Sequence, residues 1–490
     1  MYQEGLPLVD EGAYTFSIFC DDSSESGEFI MLDEFKKQTN VDVDLKIYPY
    51  ETATERLNLD LNSGDYADVI GGWTLSDNAI LTYGVNQGVF IPLEDYFEKY
   101  CPNISAILDL PGVREKMTAP DGHIYTIPYV CGDTTVGYSP YINTKWLENV
   151  GMSMPTTTDE FEAVLKAFKE QDANGNGDAS DEIPFSTDPN NKHIEAMAGY
   201  FGLPMNKLGI AIQDEKVVYG GVSDTYREFL SWFHKLYAEG LVDVELYTQD
   251  SSTWEGKGNQ DLYGVSIAYG SNEFTGIPAA EERGDFDSMP VLNTDKDGIW
   301  LRDTEGFSVY RTQAVITNKA EHPEIICRWF DNAFALENGI GCNRGPVGVI
   351  VNKEDDGYHA IDTTTLSEED QEKYSWGNLW PQSLPKYLPA DFEFVEEHPM
   401  YDEKKATEEA YEANLTKEII PSYWIDLDKI DTFSDTNTAI KDFFEQQQAQ
   451  FVCGELDIDN DADWKAYVDG MYSLGLEDWV ATQGIEEIAK

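Results

Sequence analysis

The segment Gln171-Asp-Ala-Asn-Gly-Asn-Gly-Asp-Ala-Ser-Asp-Glu182 carries the densest chemistry in the sequence. Asp172, Asn174 and Asn176 alternate along it, and Gly177 follows. This matches the opening of a D-x-[DN]-x-[DN]-G calcium loop. A hard cation needs six to eight oxygens, and alternate residues of a tight loop can turn theirs inward. Asp178 is expected to supply its backbone carbonyl, and Asp181 with Glu182 to close the shell. Counting Asp172 as the first position, the twelfth is Ile183, and Pro184 follows instead of a second helix. The expectation is therefore a structural calcium ion rather than a calcium switch. Asp457, Asp459, Asp461 and Asp463 alternate too, but Ala462 stands where a turn glycine is needed. These aspartates fit better as the acidic start of a helix through Trp464.

No signature of catalysis is present. G-x-S-x-G, HExxH and the phosphate-cradling G-x-x-x-x-G-K-[ST] are absent, and the histidines keep no metal-ligand spacing. Paired carboxylates could hydrolyse glycosides, but among 92 acidic residues no pair stands out. Nothing positive in the sequence supports catalysis.

Aromatic residues point to what is bound. Trp73 follows Gly71-Gly72 at the end of an expected strand, Trp254 lies in a polar stretch, and Trp376 and Trp380 lie in a loop rich in Gly, Pro and Asn. An indole offers an apolar face to the C–H face of a sugar ring and keeps an N–H donor. Asp22, Asp133 and Asn272 can pair with hydroxyls, and Tyr129, Tyr269 and Arg344 complete the candidate contacts. With eight arginines in the chain, bidentate clamps on acidic sugars are disfavoured, so neutral sugars are favoured over acidic ones.

The elements that must position these groups alternate. Phe16–Cys20, the run Val41, Val43, Leu45, Ile47, and Ala67–Ile70 read as strands. Helices over Glu28–Gln38 and Thr54–Leu61 separate them, which implies a parallel sheet with right-handed crossovers. A second block begins near Tyr138. Thr158 or Asp159 should cap a helix with Phe161, Val164, Leu165 and Phe168 inward, and Tyr226 to Leu236 mark another. Tyr263–Tyr269 reads as a buried strand, and Val315–Thr317 leads into a Pro323–Phe334 helix.

At 490 residues the chain holds two to four domains' worth of sequence. With 33 Lys and Arg against 92 Asp and Glu, its formal charge is −59, which repels nucleic acid and anionic lipid. No apolar run approaches the roughly 18 residues of a membrane span. Six cysteines show no CxxC spacing and are expected to be mostly buried small hydrophobes.

The order of several short segments resembles the family 1 extracellular solute-binding proteins, the ligand-capturing components of ABC importers. These segments are FIMLDEFKKQTNVD over Phe29–Asp42, LNSGDYADVIGGW over Leu61–Trp73, GVFIPL over Gly88–Leu93, DGHIYTIPY over Asp121–Tyr129, GYSPYINTKWL over Gly137–Leu147, NRGPVGV over Asn343–Val349 and WKAYVDGMYSLGLED over Trp464–Asp478. The acidic loop is similar to that of the subgroup that takes up oligosaccharides and carries calcium, with Ser180 as an extra residue. The resemblance implies an α/β, two-lobed, type II periplasmic-binding-protein-like fold. It implies a hinge of about three crossings, near Ser139–Asn143, Ala268–Leu292 and Gly341–Gly345, with ligand held between the lobes. The first lobe is expected to comprise 1–140 and 293–342, and the second 141–292 and 343–490. A monomer is implied, working with ABC permease subunits and held at the cell surface by an N-terminal lipid that this sequence does not contain. The alternatives are a secreted glycoside hydrolase, a binding protein for a non-sugar ligand such as a peptide, and a surface adhesin.

Overall fold

The computed structural model describes residues 5–22, 27–188, 193–276, 285–395 and 399–489. The chain divides into two compact units. The first comprises Met1–Asp133, Gly306–Glu396 and Ser422–Ile430; the second comprises Thr134–Glu305, Glu397–Pro421 and Asp431–Lys490.

The first unit is built on a five-stranded sheet. Strands β1 (Tyr14–Asp21), β2 (Val41–Tyr48) and β3 (Val69–Gly71) run parallel, as the alternation of strands and helices predicts. The Phe307–Ile316 strand inserts antiparallel between β3 and β4 (Thr126–Gly132), giving the order β2-β1-β3-(Phe307–Ile316)-β4. The Ile30–Thr39 helix and the Pro323–Asp331 helix bury Phe35 and Trp329 against Phe16. The Trp329 ring meets Phe16 edge-on at 5.3 Å.

The second unit holds a four-stranded sheet in the order Phe286–Ser288, Ser139–Asn143, Tyr263–Ala268, Ile183–Thr187. The Thr158–Glu170 helix presents Phe161, Val164, Leu165 and Phe168 to its core, the i, i+3, i+4, i+7 stripe of an amphipathic helix. Its cap is Thr157, one residue before the expected Thr158: the Thr157 hydroxyl accepts the Glu160 N–H at 3.2 Å. Similarly, Asn460 rather than an aspartate caps the Asp461–Ser473 helix, with Asp461 and Asp463 in its first turn.

Several expected boundaries differ from the observed ones. Residues 343–396 belong to the first unit, not the second. They do so because the segment packs into that unit's core: the Met31 N–H donates to Leu379 O, and Trp380 stacks on Trp329. The chain passes between units after Asp133, Glu305, Glu396, Pro421 and Ile430, five times rather than about three. Ser139–Asn143 is a strand inside the second unit, and Gly341–Gly345 closes the Leu336–Arg344 helix inside the first. Of the expected crossing over Ala268–Leu292, residues 277–284 lie outside the described residues. Among the described residues no helix is long and apolar enough to cross a membrane.

Candidate ligand-binding surface and acidic loop

In the first unit β1 and β3 end side by side, and the turn after β3 is fixed by a buried carboxylate. Asp21 accepts the backbone N–H groups of Trp73 and Thr74, at 2.9 and 2.6 Å, and the Thr74 hydroxyl at 2.6 Å. Gly72 sits at φ +137°, and a Cβ there would fall 2.2 Å from an Asp21 oxygen, so only glycine lets the turn close over the carboxylate. The turn leaves the Trp73 side chain 44% exposed.

Trp73 does not stand alone. Its ring meets Tyr310 edge-on at 5.3 Å, and Tyr310 stacks on Tyr129 at 5.4 Å with an interplanar angle of 19°. The two tyrosines are cross-strand partners between β4 and the Phe307–Ile316 strand. Asp133 accepts the Tyr310 hydroxyl at 3.3 Å and the Ser308 hydroxyl at 2.5 Å, fixing the outer edge of the row. Beyond Tyr129 lies Lys386, whose Nζ is 5.0 Å from the Tyr129 ring centroid and 5.9 Å from that of Trp376. Trp376 is 61% exposed.

Lys386 is buried, donates to Gln382 Oε1 at 2.7 Å, and is pushed down to about 8 by that burial. Gln382 gives its side-chain amide to the carbonyls of Trp376 and Trp380 and its backbone N–H to Asp22. Asp22 is thus an inward anchor for the 376–386 segment, not the outward hydroxyl partner expected from its position after β1. Arg344 lies half-buried at the end of the Leu336–Arg344 helix.

Two of the expected platforms are core residues. Trp380 is fully buried between Trp329 and Phe35. Trp254 is 2% exposed in the Ser251–Asn259 helix, packed on Phe274, with its indole N–H donated to the Ser266 hydroxyl. The stretch reads as a polar loop because only Trp254 and Gly258, one helical turn apart, face inward. A Cβ at Gly258 would lie 2.1 Å from the Phe274 carbonyl. Conversely, Tyr310 and Lys386 belong to the row although the sequence does not single them out. Tyr310 had a signal in its place on an alternating strand, whereas a lone lysine carries none.

In the second unit Tyr269 follows the carboxyl end of the Tyr263–Ala268 strand. Lys404 Nζ lies 4.1 Å from its ring centroid, and Glu273 accepts its N–H at 2.9 Å. Asn272 opens the short Asn272–Thr275 helix beside it. Tyr138 meets Tyr269 edge-on at 6.1 Å and stacks flat on His193 at 4.1 Å. Burial, with Lys207 adding to it, pushes His193 down to about 4 from 6.5. The unfolded chain therefore binds a proton that the folded one refuses between those values. The contribution is complete above pH 6.5 and is lost as the pH falls toward 4. Substituting His193→Gln should flatten that stretch of the melting-temperature profile against pH; an unaltered profile would refute the assignment.

The acidic loop joins the Thr158–Glu170 helix to the Ile183–Thr187 strand. Gly175 and Gly177 take φ of +74° and +96°, the left-handed turns that glycine permits. Asp172 accepts the Gly177 N–H at 3.0 Å, and Asp181 accepts the Asn174 and Asn176 amides at 3.3 and 2.7 Å. Asp178 turns its carboxylate to Ser180, accepting its N–H at 3.1 Å and its hydroxyl at 2.6 Å. Glu182 Oε1 accepts the Ala173 N–H at 2.9 Å, while Oε2 is buried with no hydrogen-bond partner among the described residues, and burial raises this carboxyl above its ordinary value. A buried carboxylate oxygen without a donor, on a loop of oxygen-bearing side chains, fits a hard cation.

The model of the bacterial extracellular solute-binding proteins matches residues 23–339. The fructooligosaccharide ABC transporter substrate-binding protein FusA of Streptococcus pneumoniae serotype 4 is 34% identical over 335 residues, 66% of this chain and 61% of that protein. Lipoprotein LipO of Bacillus subtilis is 28% identical over 280 residues, 55% of this chain and 52% of its own length. The aligned stretches thus span less than two thirds of either relative. The solved structure of the S. pneumoniae FusA EF-hand mutant in complex with fructo-nystose superposes with a TM-score of 0.81 at 27% identity, over 96% of this chain and 98% of that one. With the family model matching well over half of the sequence and the type II fold shared along nearly all of it, this chain belongs to the bacterial extracellular solute-binding protein family.

Proposed function

We propose that this protein captures a neutral oligosaccharide outside the cell and delivers it, as a monomer and without chemical change, to the permease subunits of an ABC importer. The observation that carries the reading is the aromatic row of the first unit. Trp73 and Trp376 expose flat apolar faces at its two ends, with Tyr310 and Tyr129 between them. Such rings suit the C–H faces of successive sugar residues. Asp133 and Arg344 are candidate hydroxyl partners here, with Tyr269 and Asn272 in the second unit. That FusA is named for fructooligosaccharides supports a carbohydrate of this size. LipO's description as a lipoprotein supports an N-terminal lipid anchor. The acidic loop would hold calcium through Asp172, Asn174, Asn176, Asp178, Asp181 and Glu182; the EF-hand of the FusA structure supports that assignment. The ion would serve structure, since the loop runs into a strand rather than a second helix.

Calorimetric titration against a panel of neutral oligosaccharides that includes fructo-nystose tests the reading. At least one should bind with a single site per chain. Trp73→Ala should weaken that binding by about 1–3 kcal/mol, the range for a ring lost from a stacking platform, while the melting temperature barely moves. Absence of binding across the panel would overturn the proposal, and release of cleaved sugar would make the protein a hydrolase instead.

A further inference from the structure

Lys386 lies inside the first unit, 1% exposed. Its backbone fixes where it sits. The Val130 N–H donates to Lys386 O at 3.1 Å, and the Leu388 N–H donates back to Val130 O at 3.1 Å, which lays the lysine along β4 beside Tyr129. From there Nζ reaches three groups: Gln382 Oε1 at 2.7 Å, the Tyr129 ring at 5.0 Å from its centroid and the Trp376 ring at 5.9 Å. Among the described residues no carboxylate forms an ion pair with it. The titratable groups that face it are Arg344, Asp22, Cys131 and Cys342. Burial pushes both thiols up, so they stay neutral beside it, as does the Tyr129 hydroxyl.

Trp376 depends on this lysine at two points. Among the described residues its exposed ring meets no other ring, and its indole N–H donates to no protein group; the Lys386 ammonium is its directed contact. Its carbonyl accepts the Gln382 side-chain amide at 2.9 Å, and the oxygen of that same amide accepts Lys386. Ring and backbone of Trp376 thus both lead to one Nζ. A cation over an aromatic face is held by the ring quadrupole, most firmly where water is excluded. A neutral amine can still donate to Gln382 but loses that attraction.

We propose that Lys386 is a positioning residue for sugar capture: its positive charge braces Trp376 against Tyr129, and oligosaccharide is held tightly only while that charge is present. This rests on the reading of the aromatic row as the sugar-binding surface. Burial without a paired carboxylate pushes the ammonium down to about 8. The charge is therefore complete near pH 6 and is lost as the pH rises through 8. When about one tenth of the molecules are competent, apparent affinity falls about tenfold, which is the loss expected between pH 6 and pH 9. The contribution of this group to stability moves the other way. The unfolded lysine keeps its proton to about 10.4, so between 8 and that value the unfolded chain binds more protons and folding becomes more favourable as the pH rises. Weaker capture at pH 9 is then not a loss of the fold at this group.

Two measurements decide it. Without sugar, the tryptophan emission of the parent minus that of Trp376→Phe isolates Trp376. It should change between pH 7 and pH 9, and the same difference taken in the Lys386→Met background should stay constant. With sugar, fructo-nystose is titrated calorimetrically from pH 6 to pH 9. The parent should lose about tenfold in affinity, whereas Lys386→Met should bind weakly throughout with a flat profile. Trp376 emission indifferent to pH, a flat parent profile, or a Lys386→Met variant that keeps the parent's slope would overturn the proposal. Absence of fructo-nystose binding at pH 6 would count instead against the oligosaccharide reading, and the emission measurement would then decide the role of Lys386 alone.

Discussion

Trp380→Ala should cost the first unit about 3–5 kcal/mol of stability, the usual range for truncating a buried indole. The ring lies fully buried against two others, its centroid 5.6 Å from that of Trp329 and 5.0 Å from that of Phe35. It also carries the chain with it. Gln382 ties the Trp376 and Trp380 carbonyls together, so a cavity under Trp380 loosens the segment that presents Trp376. Trp380→Phe should cost much less. The indole N–H makes no hydrogen bond among the described residues, so phenylalanine keeps most of the packing and leaves no donor stranded. Differential scanning calorimetry reads both variants against Trp73→Ala, which is expected to melt close to the parent because the Trp73 side chain is 44% exposed. If Trp380→Ala melted like the parent while losing ligand affinity, the indole would be a ligand contact after all.

That contrast shows what the sequence carried. The β1, β2, β3 alternation, the helix stripe from Phe161 to Phe168 and the glycine-punctuated acidic loop were all legible, because periodicity and turn chemistry are local. The four tryptophans were legible only as a set. Trp73 and Trp376 proved exposed, whereas Trp254 and Trp380 proved buried. A tryptophan in a polar or Gly-rich stretch can cover a ligand face or plug a core, and the deciding partners are not its neighbours in the pattern: Trp329 and Phe35 for Trp380, Phe274 and Ser266 for Trp254. Asp22 follows the same logic, since its partner, the Gln382 N–H, lies 360 residues away in sequence. The placement of 343–396 with the first unit also depends on long-range packing, of Leu379, Trp380 and Leu384, which no local pattern announces.

Removing calcium should lower the melting temperature of the second unit, and restoring it should recover the loss in proportion to the free ion. At a free concentration about 100 times the Kd, mass action alone supplies about 2.7 kcal/mol. Asp172→Ala should abolish this dependence by removing both a carboxylate and the acceptor that closes the turn on Gly177. Glu182 gives a sharper test, because its sign reverses. With no cation, the buried Oε2 makes the charged carboxylate costly, and the raised pKa means that folding stability falls as the pH rises through the titration of this group. Glu182→Gln keeps an oxygen for the Ala173 N–H and removes the charge. In chelator, then, the variant should be as stable as the parent or more so at neutral pH, whereas in calcium it should be the less stable of the two. The same linkage requires calcium to bind more weakly as the pH falls into the carboxylate range, since protons compete for its ligands. A variant destabilised equally with and without calcium would make Glu182 a structural acceptor for Ala173 alone and remove it from the cation site.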